Sequence, residues 1–249
     1  MAFEITGATH IGSVRKSNED NIAWHVSDDS KHIMGIVADG MGGYQGGELA
    51  SSIAVETFTE QITKTLFGET GASPTDIPIL LDAAAKAANI AIIEARKANE
   101  DLSKMGTTLV AVNCTSEETH IIHAGDSRCY HYVNKTLHLL TRDDSVVQDM
   151  LDSGAINPKD IDRVPFRNVL TKALGSNEQI DFTVNSVAFE PGEQLLLCSD
   201  GIYNTLSEHE IERMLTESAN ITDCSQNLIQ HCLEKTASDN ISVVIIKAL

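Results

Sequence analysis

The chain has 249 residues, 42% of them hydrophobic, and a formal net charge of −18. That length and apolar content suit a large folded domain and exclude wholesale disorder. The acidic excess opposes extended contact with nucleic-acid phosphates or anionic lipid, and no apolar run approaches the roughly 20 residues that span a bilayer.

Strand-like segments come first, at 3–11, 21–26 and 32–38, rich in β-branched residues. Two amphipathic helical patterns follow. In 47–66, Ala50, Ile53, Ala54, Phe58, Ile62 and Leu66 recur at three- and four-residue steps; in 78–99, Leu80, Ala83, Ala84, Ala87, Ile90, Ala91 and Ala95 do the same. A loop punctuated by Gly and Pro, "GETGASPTD", joins them. Strands return at 107–113, 119–124, 128–133 and 136–141. Residues 142–179 are polar, hold Pro158 and Pro165, and show one short helical pattern near 145–152, which suggests a binding flap. Beyond it lie strands 182–189 and 194–198, helices near 207–218 and 223–236, and a last strand at 241–247. The order lacks a regular βαβ alternation, so the expected class is α+β, with largely antiparallel sheets and helices outside them. "QLLLCS" and "ISVVIIK" read as strands buried on both faces.

The cysteines at 114, 129, 198, 224 and 232 are scattered and form no C-x-x-C pair. With no secretory leader pattern, they point to a reducing, cytoplasmic setting without a disulfide frame or thiolate zinc site.

Aspartates recur where strands begin or end. Asp39 closes "IMGIVAD", Asp126 closes "IIHAGD", Asp200 closes "LLLCSD", while Asp20 and Asp239 open "DNIAWHV" and "DNISVVII". Taken singly, Asp-Gly and Asp-Asn are ordinary turn residues. Together they place carboxylates at one rim of antiparallel sheets, because such sheets set the end of one strand beside the start of the next. Clustered carboxylates repel unless cations sit among them, and oxygen-only donors select Mg²⁺ or Mn²⁺. The glycine-rich stretch after Asp39, "GMGGYQGG", suits this reading better than nucleotide binding. Gln45 stands where the dinucleotide fingerprint needs its third glycine, and no P-loop lysine follows.

With these residues in place, the chain resembles the metal-dependent serine/threonine protein phosphatases of type 2C, the bacterial branch in particular. "GSVRKSNEDN" (12–21), "DGMGG" (39–43), "MGTTLV" (105–110), "AGDSR" (124–128), "RNVLTKALG" (167–175), "LLLCSDG" (195–201) and "DNISVVII" (239–246) follow that family's motifs in order. The resemblance implies a four-layer α-β-β-α sandwich, two mostly antiparallel sheets flanked by helix pairs, as one catalytic domain over residues 1–249. It implies two Mn²⁺ or Mg²⁺ ions and a third, weaker one. Asp39 bridges the pair, Gly40 offers its carbonyl, Asp200 and Asp239 complete the first ion's ligands, Glu19 and Asp20 act mainly through water, and Asp126 helps hold the third ion. Arg15 grips the substrate phosphate, its planar fork matched to phosphate oxygens. Arg15 and Asp39 are thus the expected catalytic residues, with a metal-bridging hydroxide attacking the phosphorus of phosphoserine or phosphothreonine directly.

The expected partners are phosphoprotein substrates and a cognate Ser/Thr kinase, the enzyme acting as a monomer. Four positions depart from the family pattern: Asp144 replaces a histidine, Val164 replaces the histidine before Pro165, Lys172 replaces an arginine, and Met41 stands where some relatives have a histidine. The rival reading is an inactive phosphopeptide-binding regulatory module. Retention of an acid at every expected ligand position favours the enzyme.

Overall fold

The computed structural model describes residues 1–28, 30, 32–42, 46–66, 76–166 and 168–249. Residues 43–45 of the glycine-rich stretch, most of the loop between the first two helices and Arg167 of the "RNVLTKALG" motif lie outside the described residues.

The chain begins with strands β1 (Phe3–His10), β2 (Asp20–Val26) and β3 (Ile33–Met41), then helices α1 (Gly46–Leu66) and α2 (Ile77–Ala98). Strands β4 (Gly106–Thr107), β5 (Leu109–Cys114), β6 (Thr119–Ala124), β7 (Arg128–Val133) and β8 (Thr136–Leu139) follow. Helix α3 (Val146–Asp152) and a 3-10 turn at Pro158–Arg163 occupy the expected flap. Strands β9 (Thr183–Val187) and β10 (Gln194–Cys198), helices α4 (Asp200–Tyr203), α5 (Glu208–Glu217) and α6 (Ile221–Glu234), and strand β11 (Ile241–Ala248) complete it. Helix starts are capped as their sequences dictate. Asp76 accepts from the Ile79 amide with Pro78 in the first turn of α2, and Ser207 and Glu210 form a reciprocal capping box on α5.

Two antiparallel sheets result, one in the order β1-β11-β10-β7-β8 and the other β2-β3-β5-β6-β9, with β4 paired to the end of β3. Strand periodicity sorts their side chains into three apolar layers. Met34, Ile36 and Ala38 of β3 face α1 and α2, whereas Ile33 and Val37 face the other sheet. Val243 and Ile245 of β11 face the C-terminal helices, whereas Val244 and Ile246 face inward. This is the α-β-β-α sandwich, and β10 and β11 are buried on both faces as their unbroken apolar runs require.

One expected strand divides. The segment 107–113 breaks at Thr108, whose amide leaves the ladder to donate to Asp39 O at 2.9 Å. Thr107 meanwhile exchanges both backbone bonds with Leu174, which pins the exit of the flap against β4. Buried Asn89 of α2 fastens that exit again, accepting the Gly175 amide at 2.7 Å and donating to Asn177 O at 2.9 Å. Helix α3 contributes no buried residue, so the flap is held by its stem rather than by a core of its own.

Candidate active site and metal centre

The register of β2 on β3 sets Asp20 directly opposite Asp39. Both share the parity of inward-facing neighbours, Ile22 and Val37, so both carboxylates point into the layer between the sheets, one step beyond its last apolar side chains. From the other sheet, Asp200 starts α4 just after β10, and Asp239 precedes β11. Asp126 sits in the turn between β6 and β7. A cavity of about 510 Å³ opens there, walled by Arg15, Glu19, Asp39, Gly40, Asp126, Asp200 and Asp239. Seven of the eight residues singled out from the sequence thus line one cavity, although they span the chain from residue 15 to residue 239. Asp20 lies beneath the wall, only 6% exposed.

Repulsion and burial set the electrostatics. Burial, then the charges of Asp20, Asp200, Asp126 and Asp239, push Asp39 well above the ordinary carboxylate range. Burial and the neighbouring Asp239, Asp126 and Asp20 push Asp200 up to about 8. Burial raises Asp20 to about 6 against hydrogen bonds from Ser199 and Ser242, and burial with Asp143 raises Asp126 to about 6. Glu19 is raised as well, chiefly by burial.

These residues fit divalent cations on the structure's own terms. One carboxylate oxygen of Asp20 and one of Asp200 are buried without a hydrogen-bond partner among the described residues, an arrangement that is costly unless something positive answers it. Among the described residues no three His, Cys, Asp or Glu side chains close around a single point. The acids that line the cavity offer only oxygen donors, which suit hard ions such as Mg²⁺ or Mn²⁺. Gly40 is packed where no side chain fits: a Cβ there would lie 2.1 Å from Gly47 O and 2.6 Å from Glu19 O. Its amide donates to Glu19 O at 3.1 Å, so the end of β3, the start of α1 and the loop before β2 meet at this one residue.

Arg15, expected to grip phosphate, places Nη2 2.7 Å from Asp239 Oδ2 at the lip of the cavity. A guanidinium has five N–H donors, so this contact leaves others for an oxyanion. Asn240 holds the loop that carries Arg15 and Glu19, accepting the Glu19 amide at 2.9 Å and donating to Ile11 O at 2.9 Å and Ser17 O at 3.0 Å.

Sequence reading passed over several supporting groups. Arg128 forks Asp143, with Nε to Oδ1 at 2.9 Å and Nη2 to Oδ2 at 2.8 Å, and its guanidinium lies 3.7 Å from the ring centroid of Tyr203. Tyr203 in turn donates to Asp126 O at 3.0 Å. Two of the departures noted from the sequence, Asp144 and Lys172, are partners: Lys172 Nζ lies 3.3 Å from Asp144 Oδ1. Nothing in the letters links 128 to 143 or 144 to 172, since the pairings arise only when the flap stem docks.

Clustered acids suited to cations, with an arginine suited to an anion at their lip, are what a metal-dependent hydrolase of phosphate esters needs. The model of the family described as protein phosphatase 2C matches residues 6–236, and the chain belongs to that family. Among its relatives, the serine/threonine phosphatase stp of Listeria welshimeri is 34% identical over 242 residues, covering 96% of this chain and 93% of that one. The protein phosphatase PhpP of Streptococcus pneumoniae is 29% identical over 249 residues, covering 98% and 97%. Among solved structures, the S. agalactiae serine/threonine phosphatase superposes with a TM-score of 0.90 at 28% identity, over 99% of this chain and 100% of that one. The catalytic domain of the phosphatase PstP, solved with two manganese ions, superposes with a TM-score of 0.84 at 28% identity, over 98% and 97%.

Proposed function

We propose that residues 1–249 form one catalytic domain that removes phosphate from phosphoserine and phosphothreonine in proteins, with Arg15 and Asp39 at the reacting centre. The chain is a metal-dependent serine/threonine protein phosphatase. The observation that carries the site assignment is the convergence of Asp39, Asp126, Asp200 and Asp239 on one cavity with Arg15 at its lip.

In this reading Asp39, the Gly40 carbonyl, Asp200 and Asp239 would hold two divalent ions, Mn²⁺ or Mg²⁺, and Asp126 would help hold a third. When bound, such ions supply a nucleophile from water at neutral pH and stabilise charge on the phosphoryl oxygens. Glu19 and Asp20 order water on the floor and side of the cavity. Arg15 orients the substrate by offering its remaining N–H donors to the nonbridging phosphate oxygens, while Asp239 fixes the direction of the fork. Met41 follows Gly40 and lines the cavity without a titratable proton, so it cannot protonate the departing seryl or threonyl oxygen. The flap residues Asn168 and Leu170 complete the wall and face the incoming peptide. The enzyme acts as a cytoplasmic monomer and reverses a cognate Ser/Thr kinase.

Asp39→Asn tests the reading. The variant is expected to keep its fold by circular dichroism and to lose at least about 100-fold in kcat on a phosphothreonine peptide with Mn²⁺, a few kcal/mol of transition-state stabilisation. A rate within twofold of the parent would remove Asp39 from the centre. Tight phosphopeptide binding by the parent with no turnover at any Mn²⁺ concentration would instead favour the regulatory module.

A further inference from the structure

We propose that a shelf of buried hydroxyls beneath the cavity, chiefly Ser199 and Thr108, positions Asp20 and Asp39 for the metal ions. The inference rests on the phosphatase reading above and adds positioning residues to it.

The shelf follows from strand periodicity. On the inward faces, Leu195 and Leu197 of β10 lead to Ser199, Ile246 and Val244 of β11 lead to Ser242, and Val112 and Val110 of β5 lead to Thr108. The apolar layer between the sheets therefore ends in hydroxyls just before the carboxylates begin. Ser199 and Ser242 are 0% exposed and Thr108 is 2% exposed, so none of them serves as a surface group.

Each hydroxyl has a defined task. Ser199 Oγ donates its single proton to Asp20 Oδ2 at 2.7 Å and accepts the Ser242 amide at 3.0 Å. That commits one oxygen of Asp20 and leaves Oδ1 buried without a partner among the described residues. Ser199, with the Ser242 hydroxyl also near this carboxylate, thereby holds Oδ2 and leaves Oδ1 for the ions and their water. Thr108 Oγ1 accepts the Asp39 amide at 2.9 Å and lies 2.7 Å from the hydroxyl of Ser127, the residue after Asp126. Thr108 thus locks the backbone of Asp39 to the turn that carries Asp126. Ser242 Oγ meets Thr9 Oγ1 at 2.8 Å, and Thr9 also accepts from Asn18 at 2.8 Å, which ties the Glu19 loop to the same shelf. Apolar replacements at these positions would leave a carboxylate oxygen or an amide hydrogen buried and unpartnered.

The test is calorimetric titration of the full chain with Mn²⁺, alongside melting of the metal-free protein and steady-state kinetics on a phosphothreonine peptide. Ser199→Ala and Thr108→Val are expected to weaken Mn²⁺ binding by about 10-fold or more, the usual effect of removing a group that orients a ligand. In both, kcat should fall further than KM rises. Thr108→Ser, which keeps the hydroxyl, should restore binding to within about threefold of the parent, and it carries the test if Thr108→Val does not fold. Ser225→Ala, which removes a buried hydroxyl on α6 that donates to Thr222 O, controls for general loosening and should bind Mn²⁺ like the parent. Parent-like Mn²⁺ affinity in Ser199→Ala and Thr108→Val would overturn the shelf while leaving the phosphatase reading intact. An equal loss in Ser225→Ala would overturn it too. A parent protein that binds no Mn²⁺ would sink both.

Discussion

A methyl group on Gly40 has nowhere to go, since its carbon would sit 2.1 Å from Gly47 O and 2.5 Å from Gly47 C, both backbone atoms at the start of α1. Backbone cannot rotate aside as a long side chain can, so the end of β3 and the first turn of α1 must separate. Gly40→Ala is expected to cost about 1–3 kcal/mol of stability by overpacking, read from the urea midpoint. Because the displaced strand end carries Asp39, Mn²⁺ affinity should fall more than that loss of stability alone explains. A stable variant with parent-like Mn²⁺ binding would show that the approach of Gly47 to Gly40 is incidental. The requirement for glycine here was legible in the letters only as an unusual density of glycines after Asp39. What made this one obligatory, a helix start pressed against a strand end, exists only in three dimensions. The acids themselves were readable because each adjoins an apolar strand. Ser199 and Thr108 were not, since serine and threonine occur throughout the chain and no spacing distinguishes those under a carboxylate.

At the scale of elements, the flap hangs from a two-strand stem. Ser145 pairs with Leu170, Val146 N donates to Val169 O at 2.9 Å, and Thr171 N donates to Asp144 O at 2.8 Å. Asp144 couples this stem to the turn before Asp126: its Oδ2 accepts the Gly125 amide at 3.2 Å and its own amide donates to Gly125 O at 2.9 Å. The remaining oxygen meets Lys172, itself partly exposed, so the pair is a tether between the two arms of the stem and not a dry ion pair. Asp144→Ala and Lys172→Met should each destabilise the protein and raise KM for phosphopeptide, and the double variant should lose less than the sum. A coupling of about 0.5–3 kcal/mol in that cycle is expected for partners in contact. Strict additivity would mean that the two side chains do not communicate and that the stem is held by backbone alone. Long periodic elements were predictable because their burial repeats: α1 buries the expected stripe, and β10 and β11 carry unbroken apolar runs. Helix α2 forms where expected but turns a different face inward, burying Ile77, Leu81, Ala85, Ala88 and Ile92 and leaving Ala83 and Ile90 exposed, because its alanine-rich sequence offers two apolar stripes. The shorter pieces escaped for the converse reason. Strand β4 has two residues and α4 has four, too few for a period to declare itself, and β4 exists because Thr107 is claimed by both Gly40 and Leu174.

For the whole molecule, the carboxylate rim makes stability and metal binding opposite responses to pH. An ordinary aspartate in an unfolded chain titrates near 3.9. In the folded protein Asp20 and Asp126 stand at about 6, Asp200 at about 8, and Asp39 well above its usual range, all principally through burial and then through neighbouring carboxylates, Asp239 among them in every case. Their folded values lie above their unfolded ones, so the folded state binds more protons than the unfolded state across that window. Their contribution to metal-free stability is therefore fully present below about pH 4 and is lost as pH rises through about 6 and then about 8. Other acids on this chain have depressed values, such as Glu210 at about 2 beside Lys235, but those changes fall below the window and leave its sign intact. Divalent ions act the other way. On the proposed assignment they would bind the ionised carboxylates of the folded protein, so they would compete with protons and stabilise it by an amount that grows with their affinity. In EDTA the melting temperature should decline between about pH 5 and about pH 8; with about 1 mM Mn²⁺ the decline should flatten, making the gain from metal largest at the alkaline end. Asp39→Asn, which removes one charge from the centre of the cluster, should soften the decline in EDTA and shrink the gain from Mn²⁺ together. A metal-free protein whose melting temperature rises over that interval would mean that these acids do not repel one another as their burial requires.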